Sequence, residues 1–265
     1  MQETFIDTKT GTGLCLALLA DVHNTEGTKA LSSLARRRPQ AILIAGDVIR
    51  GELPPEGCLK IESENQVLPF LQACRAVAPV FLSLGNHEWL LQEEDLSRIR
   101  GLGVEILDNC WKRVCLDGKE IVLGGLTAAR VTGFRRYHEG HHPELPYVRW
   151  NREEREKDRT VPELDWLLEF ESQPGLRVLL CHHPEYWTQY LRGRKIDLCL
   201  SGHAHGGQIR LLGRGLFAPG QGLLPRYTSG MYEGPRGKLI VTRGLANTAP
   251  VPRLFNPTQV VYLCC

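Results

Sequence analysis

This chain of 265 residues has no long hydrophobic run. The apolar stretch LCLALLA, at 14–20, meets Asp21 far short of the ~20 residues a membrane helix needs. The polar opening, up to Gly13, lacks a basic leader, so the expectation is a cytoplasmic protein with no membrane anchor. There is no CxxC pair. The nine cysteines are an odd number, scattered as free thiols in a reducing compartment would be. The closing Cys264-Cys265 is not a CaaX ending and reads as the end of a strand, VVYLCC. Charge bias is also missing: 32 basic against 30 acidic residues leave a formal net charge of +2. That balance disfavours a dedicated nucleic-acid surface but permits a small anionic substrate. Internal repeats and low-complexity tracts are absent.

What remains is an ordinary globular composition, 42% hydrophobic and 23% charged. LCLALLA (14–20), AILIAG (41–46), VFLSLG (80–85), RVLLC (177–181) and IDLCLSG (196–202) are short apolar runs without clean alternation. Such runs fit strands covered on both faces, as in α/β layers. Helical patterns fall at about 25–37, 64–77, 92–100 and 162–173. The last begins with a capping-box spacing, Thr160 to Glu163, with Pro162 in its first turn. Asp117-Gly118 marks a hairpin. QIRLLG, KLIVTRG and QVVYLC add strands to the C-terminal third. A single domain over 1–265 is expected, with a polar insertion at about 130–159. That insertion carries His138, His141 and His142 and reads as a solvated loop or a loop over a site.

Chemistry collects where the strands end. LCLALLA is followed by Asp21 and His23, AILIAG by Asp47, and VFLSLG by Asn86, His87 and Glu88. RVLLC is followed by His182 and His183, and IDLCLSG by His203 and His205. In α/β sheets the carboxyl ends of the strands are where ligands bind. Taken singly, each residue reads as a turn, a cap or a satisfied polar terminus. Repetition at five strand ends makes that reading untenable for the set. In an extended chain, residues two apart share a face, so Asp21 with His23, and His203 with His205, are expected to point together. Mixed oxygen and imidazole donors suit manganese, iron or zinc better than a calcium or magnesium cage. Two divalent ions facing two aspartates would leave a net positive site that attracts phosphate.

Asp-x-His, Gly-Asp, Gly-Asn-His-Glu, a strand-end His and Gly-His-x-His, in that order, resemble the calcineurin-like metallophosphoesterase superfamily over about residues 14–211. The tail, from GHAHGGQIRL to KLIVTRGL, is similar to a bacterial phosphodiesterase branch of it. The resemblance implies a two-sheet mixed β-sandwich flanked by helices, a four-layer α/β fold, with two divalent metal ions, manganese first and iron or zinc next. It implies that Asp21, His23, Asp47 and His205 hold one ion, and that Asp47, Asn86, His182 and His203 hold the other. His182 rather than His183 is the ligand because the family pattern puts it two residues before the proline. Asn86 and His87 would meet the substrate, and Glu88 would support the loop. A metal-bridging hydroxide attacks phosphorus, and His87 assists the leaving group or stabilises the transition state. One departure stands out: the segment Gly46-Asp47-Val48-Ile49-Arg50-Gly51 lacks the second Asp that orients this histidine in members with a GDxxDRG block.

The expected activity is therefore two-metal phosphoester hydrolysis of a small phosphoester, most of all a phosphodiester. A nuclease is the alternative. Its candidate surface runs from Arg135-Arg136 through Arg149-Trp150-Asn151-Arg152, and the balanced charge weighs against it. A silent metal-binding scaffold is a third reading, disfavoured because every motif residue is present.

Overall fold

The computed structural model describes residues 1–145, 147–148, 161–248 and 251–265. Two six-stranded mixed sheets lie face to face. The first runs β1 (Gln2–Asp7), β16 (Gln259–Cys264), β2 (Cys15–Leu19), β3 (Ala41–Ala45), β4 (Val80–Ser83) and β5 (Glu105–Leu107). Strands β2 to β5 are parallel, and β16 enters antiparallel to β2. The second runs β14 (Gly230–Glu233), β15 (Lys238–Val241), β9 (Leu198–Ser201), β8 (Leu176–Cys181), β7 (Lys119–Leu126) and β6 (Cys110–Leu116). Strands β15, β9, β8 and β7 are parallel. The β6–β7 hairpin turns at Asp117-Gly118, both at positive φ (46° and 73°), as a two-residue turn requires.

The apolar runs do not alternate because both faces of each sheet are covered. Leu16 and Leu18 of β2 and Leu43 of β3 face inward, against Val178 and Leu180 of β8 and Leu200 of β9. Leu19 of β2 and Ile42 and Ile44 of β3 face outward, onto α1 (Thr28–Arg37) and α3 (Val67–Val77) through Leu34, Phe70 and Leu71. The short α2 (Lys60–Ser63) and α4 (Glu93–Gly101) extend that layer, α4 carrying a reciprocal Gln92/Asp95 cap. On the far side, Leu179 and Cys199 pack against Leu167, Phe170 and Trp187. The result is the four-layer sandwich, and the parallel strands of both sheets end along one edge.

Three local expectations fail for identifiable reasons. The segment at 130–159 is not a loop throughout. Ala129–His141 forms a 13-residue helix, α5, that buries Val131 and Phe134 against the first sheet's outer core. Phe134 meets Trp89 edge to face at 4.6 Å. The three histidines lie outside that buried stripe, at the exposed end of the helix, while residues 149–160 fall outside the described set. The helix expected at 162–173 is shorter: α6 spans Leu167–Ser172, and Thr160 is not among the described residues. The Glu163 carboxylate accepts from Asn109 Nδ2 (3.1 Å). QIRLLG is no sheet strand either. Arg210–Leu211 (β10) folds back on Arg214–Gly215 (β11), and Phe217–Ala218 (β12) on Gly222–Leu223 (β13). Leu212, between β10 and β11, takes a positive φ that ends extension after two residues.

The α5 assignment makes a stability prediction. Phe134→Ala should cost about 3–5 kcal/mol, the usual loss for a fully buried aromatic. Urea unfolding measures it, and a loss below about 1 kcal/mol would mean that α5 is not part of the core.

Candidate metal centre

The loops after β2 and β3 run on together beyond the first sheet. Asp21 N donates to Gly46 O (3.1 Å), His23 N to Asp47 O (3.1 Å) and Asn24 N to Val48 O (2.9 Å). The expected extended alternation does not produce the shared facing. Asp21, His23, Asp47, His203 and His205 all have positive φ, between 45° and 61°. Each strand has ended, and the backbone curls over the sheet edge in the left-handed region, at roughly 1–2 kcal/mol per residue. Side-chain to backbone bonds hold the curl: His203 N donates to Asp21 Oδ1 (3.1 Å), and His87 N to Asp47 Oδ1 (2.8 Å). Gly46 lies where the loops cross. A Cβ there would sit 2.6 Å from the Gly85 backbone and 2.9 Å from His182 Nδ1.

These curls gather side chains from both sheets. One atom each of Asp21, His23 and His205 lies within 4.8 Å of the others, and the same holds for Asp47, His182 and His203. Asp47 joins the two groups. Its Oδ2 is 3.0 Å from His182 Nε2 and 3.8 Å from the Nε2 of both His23 and His87. Asp21 and Asp47 are buried. His23 donates Nδ1–H to Ile49 O (3.0 Å), His182 to Ala45 O (2.7 Å) and His205 to Ala246 O (3.3 Å). A carbonyl partner fixes the tautomer, so each Nε2 turns a lone pair inward. The Nε2 atoms of His23 and His182, and Oδ1 of Asn86, are buried without a hydrogen-bond partner. His182 Nε2 and Asp47 Oδ2 are close but lack the alignment of a hydrogen bond. Lone pairs converging from buried acceptors suit a cation, so the donor set fits divalent metal ions.

The electrostatics agree. Burial drives His23 down to about 4 and pushes His203 well below the ordinary imidazole range. Burial also opposes charge on His182, but the adjacent Asp47 carboxylate outweighs it and lifts His182 to about 10. Asp47, despite its burial, is held well below the carboxylate range by His182, His87 and His23.

His87 stands apart. Its side chain keeps 25% exposure, facing a cleft of about 480 Å³ shared with His23, Arg50, Gly51 and Asn247. Among the described residues no carboxylate hydrogen-bonds its Nδ1. Its buried Nδ1 has no hydrogen-bond partner and faces Gly51, where a Cβ would come within 2.7 Å, while its ring abuts the edge of His23 at 4.6 Å. Packing and the backbone bond to Asp47 do the orienting. Glu88, fully buried, accepts from the backbone N–H groups of Asp47 (2.8 Å), Val48 (2.7 Å) and Gly85 (2.7 Å). Burial, together with the Asp47 charge, raises it to about 7.

His183 turns away from Asp47 and donates to Glu185 Oε1 (3.0 Å). Glu185 also stands 4.0 Å from His203 Nε2 and forms with both histidines a third compact group. The motif pattern gave no sign of Glu185. The same is true of Asn256, which donates to His205 O (2.7 Å), and of Arg253, which donates to Ala246 O (2.5 Å). Both come from the far end of the chain, beyond any local spacing. Of the proposed nucleic-acid surface, Arg135 is paired with Asp108 (2.8 Å), and Arg149 to Arg152 lie outside the described residues.

The family model for calcineurin-like phosphoesterases matches residues 16–207, the span that carries every candidate metal ligand and His87. The chain belongs to the calcineurin-like phosphoesterase family. Among relatives of this phosphoesterase, YpbG of Bacillus subtilis, an uncharacterised protein, is 27% identical over 208 residues, covering 78% of this chain and 65% of YpbG. An uncharacterised metallophosphoesterase of Helicobacter pylori is 26% identical over 221 residues, 82% of this chain and 50% of its own. The chain thus spans less than two thirds of the length of these curated relatives. A dimetal phosphatase from Danio rerio shares the fold, with a TM-score of 0.50, 16% identity and 90% coverage of both chains.

The role of Glu88 in this calcineurin-like site is testable. Glu88→Ala strands four buried N–H groups, those of Asp47, Val48, Ile49 and Gly85, at about 1–3 kcal/mol each, so a loss of at least about 4 kcal/mol is expected. Metal content should fall with it. Unfolding and metal analysis of the same preparation check both, and a variant with unchanged metal content would show that Glu88 does not hold the Asp47 loop.

Proposed function

We propose that this chain is a two-metal phosphoester hydrolase acting on a small phosphoester, most of all a phosphodiester. The observation that carries the reading is the Asp47 carboxylate, which stands in one compact group with His23 and His87 of the first sheet and in another with His182 and His203 of the second. In this assignment Asp21, His23, Asp47 and His205 hold one divalent cation, and Asp47, Asn86, His182 and His203 hold the other. The mixed oxygen and imidazole set favours manganese, with iron or zinc as substitutes. When bound, the two cations supply Lewis-acid charge for phosphate and lower the pKa of a coordinated water.

The remaining work falls to the protein. The Nδ1 donations to Ile49, Ala45 and Ala246 fix the imidazole planes, and Glu88 fixes the Asp47 loop. His87 stands between the cleft and the centre, partly exposed and with its Nε2 3.8 Å from Asp47 Oδ2, so it is placed to meet substrate. Burial holds His87 below the ordinary imidazole value, with Arg130 and His182 adding to the effect. It is then neutral near pH 7 and serves as an N–H donor to a phosphoryl or leaving oxygen. The cleft continues past His87 to Arg50 and Asn247, giving room for a second ester substituent. That room, with the likeness of the tail to phosphodiesterases, supports the diester reading over a monoester one.

Two experiments test this. His87→Ala should keep its metal and its melting temperature while kcat toward an aryl phosphodiester falls by roughly 10²–10⁴-fold. His182→Ala should instead lose metal. Full activity in His87→Ala, or a manganese-loaded wild type inert toward both diesters and monoesters, would overturn the proposal. Separately, adding manganese to chelator-treated protein at neutral pH should release protons. His182, raised to about 10, is protonated there without metal and must give up that proton to become a ligand. Affinity should accordingly rise with pH up to about 10. Calorimetry in buffers of contrasting ionisation enthalpy reads the release, and a proton-neutral titration would show that His182 is already neutral before metal binds.

A further inference from the structure

Beyond the His205 loop, residues 208–232 contain three arginines, Arg210, Arg214 and Arg226, and no Asp or Glu. They form the two short hairpins, and the turns of these hairpins do something unusual. Leu212 is fully exposed, at 104%, and Leu224 is 76% exposed, and both sit at positive φ (48° and 50°). Phe255, next to the Leu254 carbonyl that accepts from Arg210 N (3.0 Å), is 80% exposed at a φ of 52°. Positive φ favours Gly or Asn, and a large apolar side chain there pays strain. These three side chains pay it without gaining burial among the described residues. Leu223, 81% exposed, and its cross-strand partner Phe217, 48% exposed, extend the apolar surface.

Beside the Leu224 turn, and reaching Gly213 next to Leu212, lies a cavity of about 530 Å³. It is lined by Arg214 and Arg226 on its flanks and by Thr228, Ser229 and Tyr232, with Leu224 at its rim. Both arginines are exposed. Guanidinium and hydroxyl donors around one cavity recognise a phosphate group. Exposed leucines at hairpin turns beside a cavity flanked by two arginines differ from the charge-depleted apolar core of a protein–protein interface. They match a surface whose leucines enter the acyl boundary while its cations meet headgroups.

We propose that this face docks on an anionic phospholipid bilayer, with Leu212, Leu224 and Phe255 inserted and Arg214 and Arg226 on headgroup phosphates. The docking is peripheral; no helix among the described residues is long and apolar enough to cross a membrane. It also places the centre at the lipid surface. Arg210 grips Gly206 O (2.7 Å) within the His205 loop. Gln208 Nε2 reaches Asn247 of the cleft (2.6 Å).

The test is flotation of the full chain with vesicles of phosphatidylcholine alone or mixed with phosphatidylglycerol. The chain should float with the anionic vesicles and be released by high salt. Leu212→Asp combined with Leu224→Asp should weaken binding at least about tenfold. Arg214→Glu combined with Arg226→Glu should abolish the preference for phosphatidylglycerol. These positions are exposed, so melting temperatures should hold, and Leu212→Ser with Leu224→Ser gives a milder pair. A chain that stays in solution, equal partition onto both vesicle types, or variants that bind like the parent would overturn the proposal. So would a dimer in sedimentation velocity that the leucine variants dissolve without any vesicle binding, which would assign the face to a second copy.

Discussion

A buried carboxylate, that of Asp47, stands where the two sheets meet, and the arrangement around it follows from keeping that charge in place. A lone carboxylate there would cost several kcal/mol. It is tolerated because His182 approaches from the second sheet while His23 and His87 approach from the first. Its backbone is held in turn by Glu88, itself buried, whose oxygens are saturated by N–H groups of the same loops. Two buried acids in contact would repel if both were simply ionised. Glu88 is the one pushed up, and Asp47 the one held down, so the centre concentrates its negative charge at the atom shared by both donor groups.

Reaching that point from both sheets costs backbone strain. Strands run straight, and their side chains alternate between the sandwich cores, so an in-line continuation would send Asp21 and His23 into apolar layers. The left-handed turns at the strand ends redirect them along the sheet edge instead. The same device recurs at His203 and His205. Strain of this kind persists only where the surroundings over-determine it. Here Asp21 anchors the His203 backbone, and Asn256 and Arg253 tie down the carbonyls of the His205 region.

Much of this was legible in the sequence, and the reason is topological. Parallel strands covered on both faces leave uninterrupted apolar runs, and polar residues just past each run mark the ligand edge. The covered α/β sheets and the identities gathered at the edge follow from that pattern, while the four-layer arrangement comes from the family resemblance. The residues' conformations do not. Period-two alternation predicted the right facing of Asp21 with His23 on a wrong premise, since spacing cannot report a positive φ. In α5 the buried stripe of Val131 and Phe134 is too short to show through its arginines and histidines. The hairpins after Gln208 look like a strand because Leu211 and Leu212 are apolar, although neither is buried. Glu185, Arg253 and Asn256 act across the fold, where no local pattern points.

The same geometry makes the centre and the sandwich thermodynamically inseparable. Neither of the two proposed ligand sets belongs to one sheet alone. Asp21 and His23 need His205, while His182 and His203 need Asp47. The inward leucines of β2, β3, β8 and β9 lie directly behind these loops, so the packing that joins the sheets also sets the distance between the donors. Under the proposed assignment, a cation recognises only the docked pair of sheets and stabilises it by its own binding free energy. The protein without metal carries the converse burden: buried lone pairs facing one another, with a proton on His182 as a counter-charge to Asp47 at neutral pH. Metal affinity and inter-sheet packing are therefore two readings of one equilibrium. A defect in the central core should appear first as a weaker metal site, before any secondary structure is lost.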